Sequence, residues 1–309
     1  MLQTAATILI SNPPLILLCL LLSLLATVVA LPFLFILANL MYDSSTSTPR
    51  DPAWSPHGLS GWGALATLVV YLWTLAIIRG TQKVTVAGCV GAWYFERDRP
   101  ARPSPFEVTK ASFTRATGPS LGTILAASFV SSAFESVAFA VRRLKKAIHS
   151  DSLPGWAQPL TYISPLLDLV VGWVELFTGL VLSYVGLTGE SYLPSAKAVK
   201  ALITANQTSR LADSLLVRLV LFCSSLAWGL VAGLVAFLVA SSKMGRASPY
   251  FAIVSVLCFA VPLASMQLGQ AVVGDTVDAL FVSLNLDLQE GVCRSEKVRE
   301  AFEVEDQED

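Results

Sequence analysis

Long apolar runs organise this sequence, in place of the short alternations of strands or the one-sided stripes of soluble helices. A helix needs about 20 mostly apolar residues to cross the roughly 30 Å hydrocarbon core of a bilayer, at about 1.5 Å per residue. The first run that meets this requirement goes from Leu15 to Leu40, interrupted by Pro32 but by no charge. Pro32 is expected to kink that helix rather than end it, because neighbouring helices can satisfy the freed carbonyl. A second run goes from Gly58 to Ile78, with Trp54 and Trp62 near its start as interfacial anchors. The third covers Leu121 to Val141 and is closed by Arg142, Arg143, Lys145 and Lys146. The fourth, Tyr162 to Leu187, contains Asp168 and Glu175; the fifth, Leu219 to Ala240, is uncharged; the sixth, Tyr250 to Val273, contains Pro262. The pattern predicts an all-α, polytopic transmembrane helix bundle of about six spans.

Three further segments modify that picture. Val84 to Phe95 is apolar but too short to cross alone, and it follows Arg79 and Lys83. It reads as the second half of a broken helix or of a long tilted one. Residues 189–214 mix Lys197, Lys200, Arg210 and Asp213 with apolar positions, the signature of an amphipathic surface helix or a re-entrant connection. Ser295 to Asp309 is mostly charged and acidic. The expected division is therefore a transmembrane helical domain over 1–285 and an acidic, disordered tail over 286–309. No Lys or Arg occurs in residues 1–12, and the following apolar run is too long for a signal peptide, so it reads as a retained span. Orientation stays open: the basic cluster at 142–146 and the set Arg97, Arg99, Arg102, Lys110 and Arg115 both call for the cytoplasm, yet one span separates them.

Composition agrees and narrows the chemistry. The chain is 54% hydrophobic and 14% charged, against roughly 25% charged in soluble domains. Membrane lipids are its expected surroundings. A formal net charge of −1, with no basic stripe interleaved with aromatics, argues against nucleic acid as a partner. The five cysteines are scattered, and His57 and His149 are the two histidines, so neither a disulfide framework nor a metal site is expected. No nucleophile–base pair, phosphate loop or cofactor motif stands out, and an enzyme is not expected. Asn206-Gln207-Thr208 matches a glycosylation sequon, usable where that segment faces a lumen, and Gly229-x-x-x-Gly233 would let two helices approach closely.

An ionisable side chain in mid-membrane costs about 2.5–3.5 kcal/mol on insertion scales, which makes each one a candidate for function. Glu135, Asp168, Glu175 and Asp275 qualify. Glu135 admits two readings: a counter-charge for a cation or a proton-coupled group, or a packing partner for a base such as Arg79. Glu175 admits the same pair. Asp168 lies near a helix start, where the helix dipole favours an acid. Asp275 and Asp278 flank Thr276 at the end of the sixth span, as cation ligands or as markers of the interface.

Four stretches, in order along the chain, resemble the choline transporter-like family of eukaryotic membrane proteins. Leu72-Trp73-Thr74, continuing into Val84-Thr85-Val86-Ala87-Gly88-Cys89-Val90-Gly91-Ala92-Trp93-Tyr94-Phe95, is similar to that family's LW(T)…VTVAGV…WYF signature. Gly122-Thr123 through Ser128-Phe129 to Arg142 resembles its glycine–serine segment, which also runs into a basic helix end. Gly189-Glu190-Ser191-Tyr192 with Ser195-Ala196, and Asp275-Thr276 with Asp287, resemble two later motifs, and Ser11-Asn12-Pro13 is in keeping. Members carry more spans than this chain offers, so the resemblance is to a short member or to the C-terminal part of one. It implies a plasma-membrane transporter of choline or a related organic cation, alternating access around a polar site, alone or in a homo- or hetero-oligomer. The alternative it implies is a non-transporting scaffold or a partner-dependent fragment of such a transporter.

A quaternary ammonium donates no hydrogen bond, so it is held by aromatic faces and a nearby carboxylate. The implied substrate site draws on Glu135, Glu175, Trp73, Trp93, Tyr94 and Tyr184, near the 79–84 interruption. Trp173 offers a further face, and interfacial belts account for such aromatics equally well. Where the family carries Asn-x-x-Ala-Tyr in the fourth span, this chain has Thr178-Gly179-Leu180-Val181-Leu182, a departure that bears on choline specificity.

Overall fold

The computed structural model describes residues 2–41, 58–96, 103–148, 158–204, 208–244 and 250–290. Among them the chain is helical, in the order α1 (Leu2–Ser11), α2 (Pro13–Met41), α3 (Gly58–Phe95), α4 (Pro105–Thr117), α5 (Leu121–Ile148), α6 (Gln158–Thr188), α7 (Tyr192–Thr204), α8 (Thr208–Met244) and α9 (Tyr250–Glu290). Backbone amides and carbonyls find no partners in hydrocarbon, so apolar runs of this length close their hydrogen bonds internally as helices. Four of the described helices are long and apolar enough to cross a membrane, with windows at Pro13–Phe33, Leu121–Phe139, Leu169–Thr188 and Leu216–Val239. The all-α membrane bundle expected from the apolar runs is thus the observed architecture. The other two expected spans fall on α3 and α9.

Several element ends follow from local chemistry. Asn12 alone separates α1 from α2: its Nδ2 donates to the Ile8 carbonyl at 3.1 Å, and Pro13 opens the next helix, where a missing N–H costs nothing. Pro32 lies inside α2 without ending it. A capping box starts α4, with the Ser104 amide donating to Glu107 Oε2 at 3.0 Å and the Glu107 amide to Ser104 Oγ at 3.3 Å. Gly189, at φ 77°, ends α6 in the left-handed conformation that glycine adopts without a Cβ penalty, its amide closing on the Val185 carbonyl at 2.8 Å.

The sequence pattern and the structure part company at three places. The charges of Arg79 and Lys83 do not break a helix: α3 runs unbroken through 84–95, because a charge interrupts hydropathy but not the backbone ladder. The 189–214 segment divides, with α7 as a short helix burying Ser195, Val199 and Leu202 while Lys197 and Lys200 are exposed, and the rest opening α8. Helix α9 continues to Glu290, past the expected boundary at 285, with Asp287 buried. Trp54, His57, Arg97, Arg99, Arg102, His149, Asn206 and the tail from 291 lie outside the described residues. So do the side chains of Trp62, Arg142, Arg143, Lys145, Lys146, Asp168, Arg210 and Asp213.

The chain forms two compact units. One comprises residues 1–17, 86–109 and 198–309. In it α8 packs along α9, where Gly229 and Gly233 let the helices meet: a Cβ on Gly233 would stand 2.9 Å from Phe259 Cβ. Helix α1 packs on α9 as well, burying Ala5, Ile8 and Leu9. The other unit comprises residues 18–85 and 110–197. Its core joins Val84 of α3, Ala116 of α4, Ile124 and Ala127 of α5 and Leu182 of α6, with Ile77 and Tyr192 packed against them.

Candidate functional site

Within this second unit α3, α5 and α6 meet through small residues. Gly80 brings α3 against α5 and α6: a Cβ there would lie 2.9 Å from Ile124 Cγ2, 3.4 Å from Ser128 Oγ and 3.5 Å from Leu182 Cδ1. Trp73 ties the same helices, its indole N–H donating to the Leu125 carbonyl at 3.4 Å and its ring meeting Phe129 edge-on at 5.8 Å. Such close approach is what small residues permit where helices pack in a bilayer.

Polar groups cluster around that junction. Glu135 of α5 is half-buried and Glu175 of α6 is exposed, and the two carboxyls lie close enough to interact electrostatically. Arg79, exposed on α3 next to Gly80, acts on Glu135 with its positive charge. One turn along α3 the buried Lys83 places its Nζ 2.7 Å from where a Cβ of Gly179 would stand, and Gly179 lies one turn along α6 from Glu175. On α5 the Ser128 hydroxyl is buried with no hydrogen-bond partner, Ser132 donates to the Phe129 carbonyl, and Ser136 donates to the Ser132 carbonyl.

Glu135 and Glu175, far apart in sequence, are thus brought near one another in the same unit. Both stand about one to two turns inside the edge of their apolar windows, which end at Phe139 and begin at Leu169. Trp73 and Tyr184 belong to the same unit, Tyr184 buried on α6 about two and a half turns beyond Glu175. Trp93 and Tyr94 belong to the first unit. There Tyr94 is buried and donates its hydroxyl to Asp287 Oδ2 at 2.8 Å, which is not the exposed position of an interfacial belt. Trp173 is exposed.

The arrangement also enlists groups that the apolar pattern set aside. Arg79, a candidate partner of Glu135, and Lys83 interrupt the apolar pattern, and Lys83 lies against Gly179 of α6. In the first unit Asp278 is buried and forms an ion pair with Arg218 of α8. Asp275, half-buried, and Asp278 both lie within α9, which continues beyond them to Glu290. Among the described residues no group of three or more His, Cys, Asp or Glu side chains is placed to hold a metal ion.

Comparison with known proteins agrees with this architecture. A family model described as plasma-membrane choline transporter matches residues 1–289. Protein pns1 of Aspergillus fumigatus is 24% identical over 260 residues, covering 79% of this chain and 47% of that protein. Choline transporter-like protein 2 of Dictyostelium discoideum is 26% identical over 140 residues, covering 44% of this chain and 21% of that protein. Protein PNS1 of Yarrowia lipolytica is 28% identical over 145 residues, covering 45% and 24% respectively. The chain thus spans about half or less of the length of these relatives. With the family model matched over nearly all of its length, the chain belongs to the plasma-membrane choline transporter family.

Proposed function

We propose that the chain carries a small organic cation such as choline across the plasma membrane and holds it at the Glu135–Glu175 carboxyl pair. The observation that carries this reading is the meeting of those two acids between α5 and α6. Each is costly in a bilayer, and a cation between them offsets that cost. Trp73 and Tyr184 supply aromatic surface in the same unit for an ammonium group without N–H donors. Trp93 and Tyr94 are separate candidates in the other unit. The small residues at the α3–α5–α6 junction favour a path between helices, of the kind used in alternating access. Catalytic chemistry forms no part of this reading.

The test is uptake of labelled choline into liposomes holding only the purified chain, beside the variants Glu135→Gln and Glu175→Gln. Each variant is expected to lower uptake about tenfold or more, equivalent to about 1.4 kcal/mol of lost cation binding. Uptake unchanged in both variants removes the acid pair from the path. A second reading, a partner-dependent part of a larger transporter, draws on the chain spanning about half the length of its relatives. Its mark is liposomes that stay inactive with the chain alone and gain uptake when a partner chain is co-reconstituted.

A further inference from the structure

Resting on that reading, the charges where α3 meets α6 narrow the class of substrate. Gly179 lies inside the apolar window of α6, which runs from Leu169 to Thr188. The side chain of Lys83 fills the space over that glycine: its Nζ stands 2.7 Å, and its Cε 3.5 Å, from where a Cβ would be. Lys83 is buried, at 8% exposure, whereas Arg79 one turn earlier on α3 is exposed. A larger residue at 179 would displace the ammonium, so the glycine sets where this charge sits. A base held at membrane depth is costly and is a candidate for function on that ground. Glu175 lies four residues before Gly179, about one turn or 6 Å along α6.

An acid and a buried base one turn apart suit a ligand that carries both signs. A monocation such as choline is drawn to the acids but repelled by the ammonium of Lys83. A betaine, which joins a trimethylammonium group to a carboxylate, answers both. The lysine ammonium has three N–H donors, so a contact within the protein and a ligand carboxylate can share it. Hydrogen bonds between ionised groups of this kind are the strong ones. We propose that Lys83, held over Gly179, receives the carboxylate of a betaine whose quaternary ammonium rests at Glu135 and Glu175, so that the site prefers this zwitterion to choline.

Uptake of labelled γ-butyrobetaine and of labelled choline into liposomes holding the purified chain reads the preference directly. The unsubstituted chain is expected to take up γ-butyrobetaine about tenfold faster than choline at equal low concentration. Lys83→Met is expected to lose γ-butyrobetaine uptake about tenfold or more and to gain choline uptake severalfold, as the repulsion is relieved. Gly179→Ala, which puts a methyl group where the ammonium stands, should shift the ratio in the same direction. A lysine that only supported the fold would lower both substrates together. Equal loss of the two in the variants, or a ratio that does not move, therefore overturns the proposal. Where neither variant folds, the unsubstituted chain still decides. Choline taken up in preference, with unlabelled γ-butyrobetaine unable to compete, refutes the zwitterion and leaves cation transport standing. If neither labelled compound enters, the transport reading itself fails, and this proposal falls with it.

Discussion

Arg218 and Asp278 show how a polar pair inside a bundle divides its cost between partners. Asp278 is 2% exposed and sits on α9, while the Arg218 side chain on α8 is 40% exposed. Arg218→Met leaves a buried carboxylate without its cation, the costly way to break such a pair, at about 3–5 kcal/mol. Asp278→Asn leaves a guanidinium that can turn outward, and is expected to cost markedly less. Thermal unfolding of both variants in detergent reads the difference, and equal loss would mean that Arg218 is held as firmly as its partner. A second residue-scale device is the box opening α4. The backbone and hydroxyl of Ser104 hydrogen-bond to Glu107 and hold its carboxyl below the ordinary 4.5. The sign follows: the carboxylate's support of α4 is complete above 4.5 and is lost as pH falls through the lower folded value. Amide exchange in the first turn of α4 should therefore accelerate on acidification through that window, and much less in Glu107→Gln. The box joins residues three apart, Ser104 and Glu107, whereas the Arg218–Asp278 pair joins residues 60 apart in sequence, a separation no local spacing reveals.

Among the elements, α8 and α9 illustrate what a motif settles in advance. The Gly229-x-x-x-Gly233 spacing announced a close helix approach, and it is there, with Phe259 of α9 seated over both glycines and Leu263 over Gly229. The partner helix could not be read from the motif, since close approach is a property of two surfaces and the sequence displays one. Gly233→Leu would drive a side chain into Phe259 Cβ, 2.9 Å from the first added carbon, and should destabilise the pair by about 1–3 kcal/mol. Gly172→Leu, where a Cβ meets nothing within 4 Å, is the matched control and should be tolerated. Similar loss in both would shift the cause from packing to bulk. The same reasoning explains why the helices themselves were legible and the candidate site only half so. Hydrocarbon forces every apolar run into helix whatever its neighbours, and so each run falls within one helix, α2 close to the limits of its run and α5 and α8 extending past theirs through polar residues. Glu135 and Glu175 stood out because a charge in such a run is costly. Arg79 was noticed as a partner but read mainly as a break, because hydropathy records charge along one helix and not the acids on two others.

For the whole molecule, the open question is what covers the apolar surface of α8. Trp228 is 60% exposed, and Leu219, Phe222, Leu230, Leu234 and Leu238 are exposed along the same helix. A soluble protein would hide such a surface against another part of itself. In a membrane protein acyl chains serve, since lipid is as apolar as leucine and nothing drives these residues inward. Protein pns1 of Aspergillus fumigatus is roughly twice as long, so the part of it that this chain does not match offers a rival cover. Lipid is the simpler expectation for this chain because α8 has the uncharged, even apolarity of a lipid-facing span from Leu219 to Ala240. Reconstitution in lipids brominated near mid-chain distinguishes the two, as bromine quenches an indole only in direct contact. The Trp228 contribution, taken as the difference between the unsubstituted chain and Trp228→Phe, should be largely lost in brominated lipid. If it persists, protein covers that face, and the mass of the detergent-extracted particle then shows whether a second copy of this chain is the cover. An oligomer under those conditions would make a second copy the cover of α8. A monomer with Trp228 in contact with acyl chains would leave lipid as the cover of α8.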